Sequence, residues 1–388
     1  MRYAIVTETY PPEVNGVALT VHALECGLRS RGHEVSLVRP RQQHERSTRV
    51  DTPTPGDPSQ LLLRGAALPR YPGLRFGFPA TGRLIDHWNK TAPDAIYVAT
   101  EGPLGWSALR AARALDIPVA TGLHTRFDQY MCDYGLSLLQ STAMAWMRRF
   151  HNSGQATLVP TRELARFLET RHFRHVMRLP RAVDCQHFNP VHRDPALRSH
   201  WGVGESGLVV IHVGRIAAEK NLDLAVRAFR ALQRTRPDAR FVWVGDGPAR
   251  KRLRRDNPDF LFCGIQRDAE LAVHWASGDL FLFPSHSETF GNVTLEAMAS
   301  GVATVAFDTG AAHEHLRDGV HGAAVQDDHQ FINAAVQLAG DDVLRRDIGK
   351  VAHEAMQTLR PEQVAADFDA ILAHLVRSRS SYAATAPA

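Results

Sequence analysis

Short apolar runs and amphipathic helical patterns alternate along this whole chain, and past residue 207 the alternation begins afresh. The first series predicts strands at 3–7, 34–38, 95–99, 119–123, 157–159 and 175–179, with helices at 17–30, 105–115 and 137–151. The second predicts strands at 208–213, 240–244, 260–262, 280–283 and 303–306, with helices at 222–233, 269–277, 292–300 and 330–338. Parallel neighbours need a crossover, usually a helix, so this alternation implies doubly wound parallel sheets covered on both faces. Two such series in 388 residues imply an α/β protein of two Rossmann-like domains facing each other across a central cleft. Their expected limits are 1–183 and 207–360. The stretch 184–206, with Pro190, Pro195 and Gly202, interrupts the pattern and reads as a linker. The terminal SRSSYAATAPA reads as a disordered tail over 378–388.

Composition narrows the class. A hydrophobic content of 44% with 22% charged residues belongs to a soluble globular chain, and no apolar run approaches membrane-spanning length. The opening MRYAIVTETYPP reads as strand and loop, without a signal peptide's regions. Cys26, Cys132, Cys185 and Cys263 lie far apart and form no C-x-x-C pair, which points to a reducing, cytoplasmic setting without a zinc site. Residues 1–200 hold 25 Lys+Arg against 17 Asp+Glu, and the remainder 20 against 24. A basic first half suits an anionic partner such as a lipid surface, or reflects solvated arginine-rich helix faces. No reader motif accompanies the charge, so a nucleic-acid partner is not expected. The segments 143–151 (AMAWMRRFH) and 162–181 are the candidates for contact with anionic lipid. Two long loops, 42–59 and 68–79, exceed ordinary connection length, and the second mixes aromatics with arginine.

The densest chemistry lies in FLFPSHSETFGNVTLEAMASG, residues 281–301. Glu288 falls in the loop at a strand's carboxyl end, and Glu296 lies a turn into the helix that follows. Ligands of open α/β sheets bind at such strand ends, and a helix start offers backbone N–H groups to phosphate. Two carboxylates around an anion-binding helix start suit a ligand that is both sugar and phosphate. After the strand LVVIHVG, the loop RIAAEKN carries Arg215 and Lys220. Either alone reads as a solvated basic residue. Together, in a chain with only four lysines (Lys90, Lys220, Lys251, Lys350), they read as a diphosphate clamp. Gly16 lets the backbone of the first strand–helix loop approach a ligand, and Asn15 is placed to cap that helix. His124 follows another strand and can bond a sugar hydroxyl or move a proton, or serve a structural role. Arg126 and Asp128 beside it read equally as substrate contacts or loop ion pairs. Gly245-Asp246-Gly247-Pro248 reads mainly as a tight turn. The one D-x-D sequence, Asp367-Phe368-Asp369, falls in a helical pattern and reads as a solvated face. No G-x-G-x-x-G, P-loop or G-x-S-x-G occurs.

In order along the chain, NGV at 15–17, HT at 124–125, AVDCQHFNP at 182–190, VGRIAAEKN at 213–221, VGDGP at 244–248 and the block ending at 301 resemble the family-4 retaining glycosyltransferases of GT-B fold. The resemblance spans nearly the whole chain. It implies Glu288 on the transferred sugar, Glu296 on the ribose, Arg215 and Lys220 on the phosphates, and His124 near the donor sugar. Gly16, Gly214, Phe290, Gly291, Asn292 and Val293 complete the implied donor contacts. No metal and no cofactor are implied. The segment 361–377 is implied to be a helix that crosses back to the first domain. TETYPPEVNGVALTV, RYPGLRFGFP and HTRFDQY look like bacterial lipid glycosyltransferases, among them mannosyltransferases that use GDP-mannose and act at the inner membrane face, which implies a cytoplasmic protein peripheral to that face. Ala182 stands where the family commonly has glycine. The implied activity is hexose transfer, mannose from GDP-mannose, to a hydroxyl of a membrane glycolipid or growing glycan. A UDP-hexose-dependent transferase, a sugar-nucleotide epimerase and a non-catalytic nucleotide-sugar-binding protein are the alternatives.

Overall fold

The computed structural model describes residues 1–388 except 14, 43–44, 46–52, 55–56, 68–74, 127–139, 205, 287 and 386–388, with backbone alone at 53–54, 57–58 and 380–385. Two units form: one from the described residues up to Pro180 together with those from Pro361 onward, the other from Arg181–Arg360.

The first unit is built on β1 (Arg2–Val6), β2 (Glu34–Pro40), β3 (Pro53–Thr54), β4 (Asp57–Leu63), β7 (Ala95–Val98), β8 (Val119–Gly122), β9 (Ala156–Val159) and β10 (Val176–Arg178). β5 (Gly65–Ala67) and β6 (Arg75–Gly77) form a separate antiparallel ribbon. The main sheet runs β10-β9-β8-β7-β1-β2-β4-β3 and is parallel except at its β3 edge. Its central strands β7 and, from Tyr3 onward, β1 are apolar and buried because helices cover both faces. Order reverses between β1 and β7, so the loops leaving those strands flank a switch point. Strand β3 and the start of β4 fall inside the first stretch expected to be a long loop and β6 inside the second; 68–74 lies outside the described residues.

The chain returns to this unit in the helix Pro361–Thr385, which continues past the expected end at 377 and replaces most of the expected tail with helix. Alanines among 378–385 favour continuation. The expected solvated D-x-D face is also corrected. Phe368 is fully buried with its ring 4.9 Å from that of Tyr97. Asp369 accepts hydrogen bonds from the Tyr3 hydroxyl and Arg31 Nε, each at 3.0 Å, and pairs with His33 Nε2 at 3.0 Å. This acid anchors the closing helix.

The second unit contains β11 (Val209–Val213), β12 (Arg240–Val244), β13 (Leu261–Gly264), β14 (Leu280–Phe283), β15 (Ala303–Phe307) and β16 (Gly322–Val325). All are parallel, in the order β13-β12-β11-β14-β15-β16, with the reversal between β11 and β14. One apolar cluster covers each face. The stretch expected as a linker is folded into this unit. Trp201 is buried, and the Arg198 guanidinium donates to Ser277 O, Asp279 Oδ2 and Gly207 O at 2.7–2.9 Å. Among the described residues no helix is long and apolar enough to cross a membrane.

Candidate active site

The residues with the richest chemistry in the second unit leave the two strands that flank its switch point. After β11, Gly214 takes φ +144°, and the backbone then runs against the loop after β12: Gly214 N donates to Val244 O and Ile216 N to Asp246 O, both at 3.0 Å. A Cβ on Gly247 would lie 2.3 Å from Ile216 O, so the glycine of VGDGP is needed to seat the cation loop. Arg215 Nη1 donates to Glu219 Oε1 at 3.1 Å, and the Glu219 side chain is almost wholly buried. Lys220 ends a short 3-10 turn, Ala218–Lys220, closed by Asn221 in the left-handed region at φ +50°. Its ammonium is ion-paired with Glu288 from the loop after β14. Gly291, at φ +86°, then turns the chain into the helix Asn292–Ala299. Phe290 is buried, while Asn292 and Val293 are half-buried in the first helical turn, where backbone N–H groups have no intrahelical acceptor.

Glu296 lies one turn further. Its Oε2 accepts from Trp275 Nε1 at 3.1 Å. Burial pushes its carboxyl up to about 7, against the opposing pull of the indole hydrogen bond. Thus Gly214, Arg215, Lys220, Glu288, Phe290, Gly291, Asn292, Val293 and Glu296 collect on neighbouring loops and one helix start. Cations and carboxylates are already paired there, an arrangement suited to an anion bearing hydroxyl groups.

Gly16 and His124 belong to the first unit. Gly16 is exposed at the start of the helix Gly16–Ser30, whose cap is Asn15, with Oδ1 accepting from Ala18 N at 2.8 Å. His124 follows β8, and its Nε2 is 2.8 Å from the Tyr97 hydroxyl. Arg126 lies over the Phe167 ring at 4.2 Å; Asp128 lies outside the described residues.

Four neighbours escaped the sequence reading: Glu219, Trp275, Tyr97 and Glu8. Glu8, after β1, accepts from Leu104 N at 2.9 Å at the start of the helix Pro103–Ala114, and burial pushes its carboxyl up to about 7.

Two doubly wound parallel-sheet units are the architecture of GT-B glycosyltransferases, and comparison with known proteins agrees. Sucrose-phosphate synthase from Thermosynechococcus elongatus superposes with a TM-score of 0.79 at 18% identity, over 97% of this chain and 99% of that one. Residues 14–187 match the family model described as Glycosyltransferase Family 4, and residues 207–341 that described as Glycosyl transferases group 1. A GDP-mannose-dependent alpha-mannosyltransferase of Mycolicibacterium smegmatis is 34% identical over 323 residues, covering 81% of this chain and 81% of the relative. A GDP-mannose-dependent alpha-(1-6)-phosphatidylinositol dimannoside mannosyltransferase of Mycobacterium tuberculosis is 30% identical over 81% of each chain. The chain belongs to glycosyltransferase family 4.

Proposed function

We propose that this protein is a retaining α-mannosyltransferase that takes mannose from GDP-mannose and joins it to a hydroxyl of a membrane glycolipid or growing glycan. The observation that carries the reading is the meeting of Lys220 with Glu288 beside the β11/β14 switch point. A phosphate-seeking cation and a hydroxyl-seeking carboxylate side by side suit the junction of diphosphate and sugar. The mycobacterial relatives support mannose as the group moved, and the phosphatidylinositol dimannoside enzyme supports a lipid acceptor.

In this reading Arg215, Lys220 and the Asn292–Val293 amides take the diphosphate charge, and Gly214, its own N–H held by Val244 O, turns the chain into the cation loop. Phe290 and Gly291 shape the turn beside them, Glu296 holds the ribose and Glu288 the mannose hydroxyls. The acceptor oxygen bonds to the anomeric carbon from the face that the diphosphate leaves. The broken C–O bond gives its electron pair to the phosphate oxygen, which takes the acceptor's proton. Arg215 and Lys220 stand in for a metal. Their pairing with Glu219 and Glu288 orients them before the donor arrives, so little reorganisation accompanies the growth of charge.

Membrane contact is the second part of the proposal, in revised form. The helix Gln140–His151 turns Met144, Met147 and Phe150 into the core, so it cannot lay a whole apolar face on lipid. Trp146, 40% exposed and packed against Trp106, and the adjacent Arg149 remain for an interfacial, charge-assisted contact. Arg181 of the second segment is buried, leaving Arg162, Arg166, Arg171 and Arg174 as its exposed arginines.

Radiolabelled GDP-mannose, incubated with and without a membrane-lipid extract, tests the activity. Label is expected to move into lipid only when the extract is present. Preference for a UDP-sugar, or a new sugar nucleotide formed without acceptor, would replace this reading by one of its alternatives. Sedimentation with anionic vesicles at low salt is expected, and failure to sediment removes the membrane contact.

Glu296 sets a pH dependence. Its carboxyl is raised from an ordinary value of 4.5 to about 7, so the folded state favours the proton. The stability it contributes is full below 4.5 and falls as pH rises through 7. Donor binding runs the other way, because an ionised carboxylate accepts from both ribose hydroxyls. GDP-mannose, whose phosphates have no proton to lose near neutrality, is expected to bind more tightly by titration calorimetry at about pH 8 than at about pH 6. Glu296→Gln should flatten that slope; an unchanged slope would exclude Glu296 as its source.

A further inference from the structure

Trp275, whose indole holds Glu296, is not itself among the donor's ligands in the mechanism above. It sits near the end of the helix Asp268–Ser277, with its ring fully buried and edge-on to Phe281 at 4.8 Å. Its neighbours in that packed layer, Phe281, Leu295 and Met298, are apolar. Among such residues the indole N–H is a polar group that must find an acceptor, and it finds Glu296 Oε2 at 3.1 Å. An indole nitrogen can only donate. It therefore fixes Oε2 as an acceptor in either protonation state and confines any proton to Oε1.

We propose that Trp275 is a positioning residue that gives the donor site its preference for a ribose over a deoxyribose. The assignment rests on Glu296 as the ribose ligand. With one oxygen tied to the indole, the carboxylate cannot swing about its last torsion, and Oε1 and the outer lone pair of Oε2 are presented as a fixed pair of acceptors. Two adjacent ribose hydroxyls match such a pair; a 2′-deoxyribose leaves one acceptor unsatisfied in a half-buried place. A site organised to bond a hydroxyl discriminates against the analogue that lacks it because its own polar group is left unpaired. Without the indole N–H the carboxyl turns freely and loses the one hydrogen bond that opposes its protonation. Both changes erode the preference for the diol.

The test compares GDP with 2′-deoxy-GDP by titration calorimetry on the full-length wild type, Trp275→Phe and Glu296→Gln. In the wild type GDP is expected to bind at least about tenfold more tightly than its deoxy analogue. In Trp275→Phe the ratio should shrink to about twofold or threefold, chiefly through weaker GDP binding, and recover partly as pH is raised and Glu296 ionises. Equal weakening of both nucleotides with the ratio intact would mean that Trp275 only packs, and the proposal fails. A ratio of affinities does not depend on the folded fraction, so a partly unfolded variant still reports. Should Glu296→Gln leave the wild-type ratio unaltered, the ribose reading of Glu296 itself is wrong, whatever Trp275→Phe does.

Discussion

Lys220→Ala is expected to lower turnover about a hundredfold to a thousandfold, the range found when a preorganised group that meets developing transition-state charge is removed. The side chain is four-fifths buried and ion-paired with Glu288, so it enters the reaction already oriented. Its loss removes a positive charge from the departing diphosphate and leaves Glu288 turned toward that diphosphate as an unneutralised anion. Both effects act on the transition state more than on donor binding, so kcat should fall further than KM rises. The lysine lies on a short turn outside the core clusters, and the variant should remain folded in a thermal melt. Glu288→Gln separates the two parts, since it keeps the cation while removing the opposing charge. Wild-type turnover in Lys220→Ala would remove the clamp from the mechanism.

Phe368→Ala should destabilise the fold more than any of the donor-site substitutions, costing about 3–5 kcal/mol in chemical denaturation. The ring has no exposed surface and joins the closing helix to the core around Tyr97 and Tyr3. Its neighbour Asp369 adds a pH signature. Burial acts to raise that carboxyl, but hydrogen bonds from His33, Arg31 and Tyr3 prevail and hold it below the ordinary value of 3.8. A depressed carboxyl contributes stability above its unfolded value and loses it as pH falls through the folded one. Asp369→Asn should therefore weaken the protein at neutral pH and show a flatter acid limb than the wild type. A cost below about 1 kcal/mol for Phe368→Ala would show that the helix is held by other contacts.

What could be read in advance follows from how local each signal is. The helix Leu222–Gln233 and the strands β12 and β14 were placed to the residue because an apolar run or a 3.6 period lies wholly inside them. β16, with the sequence GAAV, has little of a strand's composition and owes its place to pairing with β15. The helix Arg250–Asp256 is almost entirely charged, with only Leu253 buried, so no apolar stripe announced it. In the site, the two glutamates and two cations were legible because each pair shares a loop or a helix start. Trp275 reaches Glu296 across 21 residues and Tyr97 reaches His124 across 27, and no periodicity links residues so far apart. The D-x-D face misled for a related reason: a helical pattern tells which residues share a side, while the partners waiting at Tyr3, Arg31 and His33 lie at the other end of the chain.

The return of the helix Pro361–Thr385 to the opening strands has a consequence for biosynthesis. On the ribosome, the first unit must wait for the helix that begins at Pro361 before Tyr3 and Tyr97 receive their cover, while residues 181–360 can finish earlier. A message cut short before the codon for Pro361 would thus yield a nascent product whose first unit lacks its closing helix, a target for quality control.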